Sequence, residues 1–139
     1  MPNRENVKVA AEWVDKAEND LKNAVHTLKM GTDCPTDTIC FHVQQCVEKY
    51  LKALLVLKGS DFPKTHNIAN LLELLPPSVR PPITEHEQDT LSEYATVTRY
   101  PGEYEPISLA EARKAVALAR RVRGSIRKLF PKEMLRQKK

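Results

Sequence analysis

Apolar positions recur every three or four residues from Ala10 onward: Ala10, Trp13, Val14, Ala17, Leu21, Ala24, Val25 and Leu28. At 3.6 residues per turn they form one stripe, so the spacing predicts a long amphipathic helix that stops at Gly31. After Pro35, Thr36 and Asp37 suit the N-cap of a second helix that runs to Lys58 and ends at Gly59. Its main stripe is Ile39, Val43, Cys46, Val47, Tyr50, Leu54 and Leu57, while Phe41, Leu51 and Leu55 fall on another side. A helix that is apolar on two sides must be covered twice, by its own bundle or by a second subunit. The expected place for it is the centre of a bundle, with a dimer seam nearby.

A shorter helix is predicted from about His66 to Leu75, burying Ile68, Leu71, Leu72 and Leu75 and stopped by Pro76 and Pro77. Thr84 and Glu87 have capping-box spacing and open a helix carrying Leu91, Tyr94 and Ala95. Arg99 to Pro106 reads as a proline-bearing loop. Ser108 and Glu111 repeat the capping-box spacing, with Ile107 placed as a hydrophobic staple, and a last long helix carries Leu109, Val116, Ala119, Val122, Ile126 and Leu129 to Pro131. No strand-like alternation or internal repeat is visible. The expected fold is all-α, an up-down bundle of about five helices, four long or medium and one short. It occupies residues 1–131, leaving 132–139 as a basic, frayed tail.

Composition fits a folded helical domain: 139 residues, 41% hydrophobic, 29% charged and 4 glycines. No apolar run approaches the roughly 20 residues of a membrane span. Residues 1–10 lack the apolar stretch of a signal peptide, so a cytoplasmic setting is expected. Cys34, Cys40 and Cys46 are odd in number and form no CxxC pair, which argues against a disulfide framework or a zinc site. Charge is divided unevenly. Residues 1–107 hold 11 basic and 16 acidic groups, whereas residues 108–139 hold 11 basic and 2 acidic. That basic pole suits a polyanion or an acidic protein partner, or simply a solvated helix face.

Candidate chemistry lies in three places. His42, Gln45, Lys49 and Lys52 fall within about 80° of arc on the second helix, next to its apolar stripe. Such a row suits phosphate, with lysines as point charges and His and Gln as hydrogen-bond donors; the alternative is a solvated face with Glu48 among the lysines. His66 opens the third helix, as a neutral hydrogen-bond partner or as a helix-start residue beside Thr65. Tyr94, Arg99, Tyr100 and Tyr104 crowd three tyrosines around one arginine, which suits phosphate binding and base stacking, or pinning of the loop. The motifs of P-loops, dinucleotide-binding folds, zinc proteases, di-iron bundles and serine hydrolases are all missing. No cofactor or metal is therefore expected.

The run Phe41-His42-Val43-Gln44-Gln45-Cys46-Val47-Glu48-Lys49-Tyr50-Leu51-Lys52, then Phe62-Pro63-Lys64-Thr65-His66-Asn67-Ile68 and later Thr98-Arg99-Tyr100-Pro101, closely resembles HEPN domains. The likeness extends over nearly the whole chain, from Ala17-Asp20-Leu21 to Glu111-Ala112. It implies a helical bundle that forms homodimers, often encoded beside a minimal nucleotidyltransferase, in a family of nucleotide or RNA binders and toxin-antitoxin components. Many HEPN proteins are also metal-independent ribonucleases, with an Arg and, a few residues on, a His from both subunits in one cleft. Here no His follows Arg99 as far as Ile107, which weighs against an enzyme.

The preferred expectation is a HEPN nucleotide- or RNA-binding protein of toxin-antitoxin type, partnered by a minimal nucleotidyltransferase, using His42, Gln45, Lys49, Lys52, His66, Arg99 and Tyr100. One alternative is a ribonuclease in which Arg99 acts with a displaced His42 or His66. Another is a non-catalytic interaction module that docks an acidic partner through Arg120, Arg121 and Arg127.

Overall fold

The first helix starts six residues ahead of Ala10, where its apolar stripe is expected to begin. In the computed structural model, which describes residues 3–95 and 106–135, α1 spans Arg4–Leu28. The Asn3 side chain accepts from the Asn6 amide at 2.7 Å, an N-cap that starts the helix ahead of Ala10, and half-buried Val7 extends the stripe. A 3-10 turn at Gly31–Asp33 follows, with Gly31 in the left-handed region at φ 79°.

α2 spans Thr36–Leu57. Its cap is Pro35, so Thr36 and Asp37 lie inside the first turn instead of at the N-cap. The Thr36 hydroxyl donates to the Ile107 carbonyl at 2.7 Å and ties the start of α2 to the approach of the last long helix. Gly59, at φ 76°, ends α2 as expected, and the Ser60 amide returns to the Leu55 carbonyl at 2.9 Å.

α3 is only Ile68–Glu73, shorter at both ends than the spacing predicts. Asn67 caps it by accepting from the Asn70 amide, which leaves His66 outside the helix. α4, Glu85–Tyr94, has the complete capping box of Thr84 and Glu87. α5, Leu109–Arg127, has half of one: Ser108 accepts from the Glu111 amide, but the Glu111 carboxylate takes the Tyr94 hydroxyl at 2.6 Å. A short α6, Lys132–Leu135, stands where a frayed tail is expected, because Met134 supplies an apolar anchor and is buried against the core. The bundle is all-helical among the described residues.

α2 is the hub, packed on α1, α5, α4 and α3. Both of its apolar sides are covered within one chain: Val43, Val47 and Leu54 are fully buried, and so are Leu51 and Leu55. Only Phe41, of the second side, stays half-buried. Cys34, Cys40 and Cys46 are free thiols in the core. Burial pushes the Cys40 thiol up to about 12, against the hydrogen bond with Tyr94, and pushes Cys46 up as well, so neither is a nucleophile near neutral pH.

Since Leu55 has no exposed surface, Leu55→Ala is expected to cost about 3 kcal/mol. Urea unfolding should show a lower midpoint at an unchanged slope; a loss under about 1 kcal/mol would place Leu55 at a collapsible edge instead of the core.

Candidate functional site

Asp20 interrupts the core stripe of α1, three residues after Ala17 and four before Ala24, and its residue is 7% exposed. A carboxylate there needs donors, and α2 supplies two. The His42 ring binds Asp20 Oδ1 through Nδ1 at 2.8 Å, and Lys49 Nζ donates to Oδ2 at 2.7 Å. With a carboxylate as acceptor, Nδ1 is the donor, and Nε2 has no protein partner among the described residues. The His42 side chain keeps 25% of its surface, edge-on to Phe41 at 5.9 Å between centroids.

One turn and more along α2, Glu48 gathers a second cluster. Lys52 Nζ donates to Oε2 at 2.7 Å, while Gln44 Nε2 and the His66 ring reach Oε1 at 2.8 and 2.9 Å. Gln44 Nε2 also lies 3.2 Å from the His66 carbonyl, and Gln45 Nε2 donates to Gln44 Oε1 at 2.7 Å. The Lys52 ammonium stands over Trp13 and Phe62, 5.4 and 5.7 Å from the ring centroids. This cluster fastens the segment before α3 to the bundle. Burial raises the Glu48 carboxyl, but hydrogen bonds from Lys52, His66 and Gln44 and the Lys52 charge outweigh it, leaving the group below the ordinary carboxylate value.

A third carboxylate, Glu18, holds α5. Arg123 Nε donates to Oε2 at 2.6 Å and its terminal nitrogen reaches Oε1 at 3.3 Å, while the buried Tyr50 hydroxyl also bonds Glu18 and Arg127 lies 3.3 Å from that hydroxyl. Burial raises Glu18, and the bonds from Arg123 and Tyr50 with the charges of Arg123 and Arg127 bring it below its usual value. The basic pole is thus partly internal. Arg121 is also engaged, on Glu87 at 2.7 Å and on the Pro82 carbonyl at 3.0 Å.

The sequence-predicted row is therefore divided. His42 and Lys49 meet on Asp20, Lys52 and His66 meet on Glu48, and Gln45 joins the second group through Gln44. Both lysines already face carboxylates, so neither is an unengaged phosphate ligand, and His42, part-exposed and with Nε2 unpartnered among the described residues, is the group of the Asp20 cluster best placed to meet a ligand. Arg99, Tyr100 and Tyr104 lie outside the described residues. Tyr94, the remaining member of the tyrosine cluster, is buried in α4 and turned to Glu111. Sequence reasoning passed over Asp20, Gln44 and Glu48 as site residues. For Asp20 a signal existed, a charge standing in an apolar stripe at i+3 from Ala17 and i+4 to Ala24.

A helical bundle with α2 at its centre, and polar clusters along that helix, defines the class of protein. A profile of the HEPN domain matches residues 10–129, and the chain belongs to that family. It is similar to the crystal structure of TT1696 from Thermus thermophilus, with 28% identity and a TM-score of 0.71 over 86% of this chain and 96% of that one. It is also similar to the crystal structure of ST0689, an archaeal HEPN homologue, with 26% identity and a TM-score of 0.67 over 88% and 98% of the two chains. A stretch of 57 residues is 44% identical to the Methanocaldococcus jannaschii protein named Putative toxin MJ1304, covering 41% of this chain. The matched stretch spans 36% of that relative, about a third of its length.

A carboxyl held below its ordinary value binds fewer protons folded than unfolded, so Glu48 and Glu18 stabilise the fold above the ordinary value of about 4.3. That contribution is lost as pH falls through the lowered folded values. The urea midpoint is expected to drop steeply from about pH 5 to about pH 3, and Glu48→Gln should give a lower midpoint at neutral pH with a shallower acid decline. Parallel acid limbs in the two proteins would contradict this account of Glu48.

Proposed function

We propose that this chain is the HEPN member of a toxin-antitoxin type pair, acting in the cytoplasm as a homodimer that binds nucleotide or RNA beside a minimal nucleotidyltransferase. The observation that carries this reading is His42: Asp20 holds its Nδ1, and the ring keeps a quarter of its surface at a part-exposed edge of α2, with no protein partner on Nε2 among the described residues. Membership of the HEPN family and the toxin name of the partial relative support it. Lys49 holds the second oxygen of Asp20, His66 offers a second exposed ring, and Arg99 and Tyr100, outside the described residues, are the further ligand contacts of this reading. Gln45 and Lys52 act behind these groups by holding the Glu48 cluster in place.

The test is titration of the pure protein with ATP and with a short single-stranded RNA, and co-purification with a nucleotidyltransferase encoded alongside. Tight binding should weaken about tenfold, or about 1.4 kcal/mol, in His42→Ala. Absence of all three associations in the native chain would remove the proposal.

One observation favours a second reading as a metal-independent ribonuclease. An imidazole oriented by a carboxylate is the arrangement of a general base, in which the carboxylate stabilises the imidazolium formed when the ring takes a proton. In this reading Arg99 stabilises the charge on the phosphate, with His42 moving the proton, or His66 from the Glu48 cluster. Cleavage of RNA should then persist in EDTA and fall about 100-fold in His42→Ala and in Arg99→Ala. An inert native protein discards it.

A further inference from the structure

Exposed cations without a counter-charge occur over much of the surface, and four basic side chains of this kind line one cleft. A cleft of about 670 Å³ between α1 and α5 is lined by Lys22, His26, Lys29 and Arg120, all exposed and none with a side-chain partner among the described residues. Its one carboxylate, Glu18, is already bound by Arg123 and Tyr50. Leu21 and half-buried Val25 form an apolar floor. The α1 dipole accounts for a cation near the last turn of that helix, which suits His26 and Lys29, but not for Lys22 or for Arg120 in the body of α5.

Lys22, His26 and Lys29 follow at i, i+4 and i+7, a track about 10 Å long. That exceeds a single phosphate. The cleft also lies on the opposite flank of α1 from the proposed site: Asp20 and Lys22 are about 200° apart around the helix. Resting on the RNA-binding reading above, we propose that the α1/α5 cleft is a second anion site, separate from His42, that grips the phosphodiester backbone of a single-stranded RNA. No Phe, Tyr or Trp is among its lining residues, so the grip is on phosphates and no large stacking platform for bases is present.

A labelled oligouridine of about twelve nucleotides, titrated into the full-length protein over a range of salt, tests this. Lys22→Ala/Lys29→Ala/Arg120→Ala should weaken binding at least about tenfold at roughly 0.1 M salt. It should also flatten the dependence of log K on log salt by about two, at roughly 0.7 per lost phosphate contact. The equally neutralised control Lys8→Ala/Lys114→Ala/Lys128→Ala, also at exposed positions, should change affinity less than about threefold. Helical circular dichroism checks that both variants fold. His42→Ala should leave the salt slope unaltered, so loss of the α2 site and loss of the cleft read out separately. Equal losses in test and control variants, an unchanged slope in the test variant, or no RNA binding by the native chain would overturn the assignment. So would displacement of the RNA by an oligoglutamate of the same length that depends equally on the three cations.

Discussion

Carboxylates buried at the seams of the bundle must meet donors, and that requirement orders everything else about this molecule. Asp20 on α1 and Glu48 on α2 sit where water cannot satisfy them, and an unpaired charge there would cost several kcal/mol, while Glu18 on α1 is half-buried at the α5 seam. Each is answered by a cation and at least one further donor from a different element or turn: His42 and Lys49 for Asp20; Lys52, Gln44 and His66 for Glu48; Arg123 and Tyr50 for Glu18. Among the described residues no buried side-chain nitrogen or oxygen lacks a partner. Because hydrogen bonds are directional while apolar packing is not, these three groups fix the register of α1, α5 and the segment before α3 on α2 more narrowly than the oily stripes do.

The same pairing separates cations that hold the fold together from cations that face outward. Formal charge is a poor guide to this. Arg123 and Arg127 belong to the most basic stretch of the chain, yet they turn inward to Glu18 and Tyr50. Lys22 and Lys29 belong to the acidic part and stay exposed. A ligand meets local potential, and where an ammonium already touches a carboxylate that potential is close to neutral.

How far the sequence went can be judged from particular positions. The 3.6-residue stripes placed α1, α2, α4 and α5, and Gly31, Gly59, Thr84 and Ser108 marked their ends, because caps and periodicity are local properties of the chain. The two apolar sides of α2 correctly made it the hub. Which partner covers the second side was not local information, and the other helices of the same chain supply that cover. Errors gathered where tertiary contacts compete with local ones. Thr36 has cap chemistry but donates across to Ile107, Glu111 abandons its capping box for Tyr94, and Met134 anchors a turn that composition alone would leave frayed. The site was half legible for the same reason: one helical wheel puts His42, Gln45, Lys49 and Lys52 on a face, but only the docking of α1 and of residues 59–67 shows that the face is split between two carboxylates.

α1 has the deepest consequence, because its core stripe separates two flanks of opposite electrostatic design. On one flank Asp20 is saturated by α2, and the product is an oriented imidazole, a group suited to directional contact or proton transfer. On the other flank the one carboxylate lining the cleft, Glu18, is bonded to Arg123 and Tyr50, and the product is a run of uncompensated charge suited to a non-directional grip. Orientation requires a counter-ion close to the ring, whereas long-range attraction requires its absence, so one cluster of residues performs both tasks poorly. Two flanks of a single helix, roughly half a turn of the wheel apart, let the chain keep both without either neutralising the other.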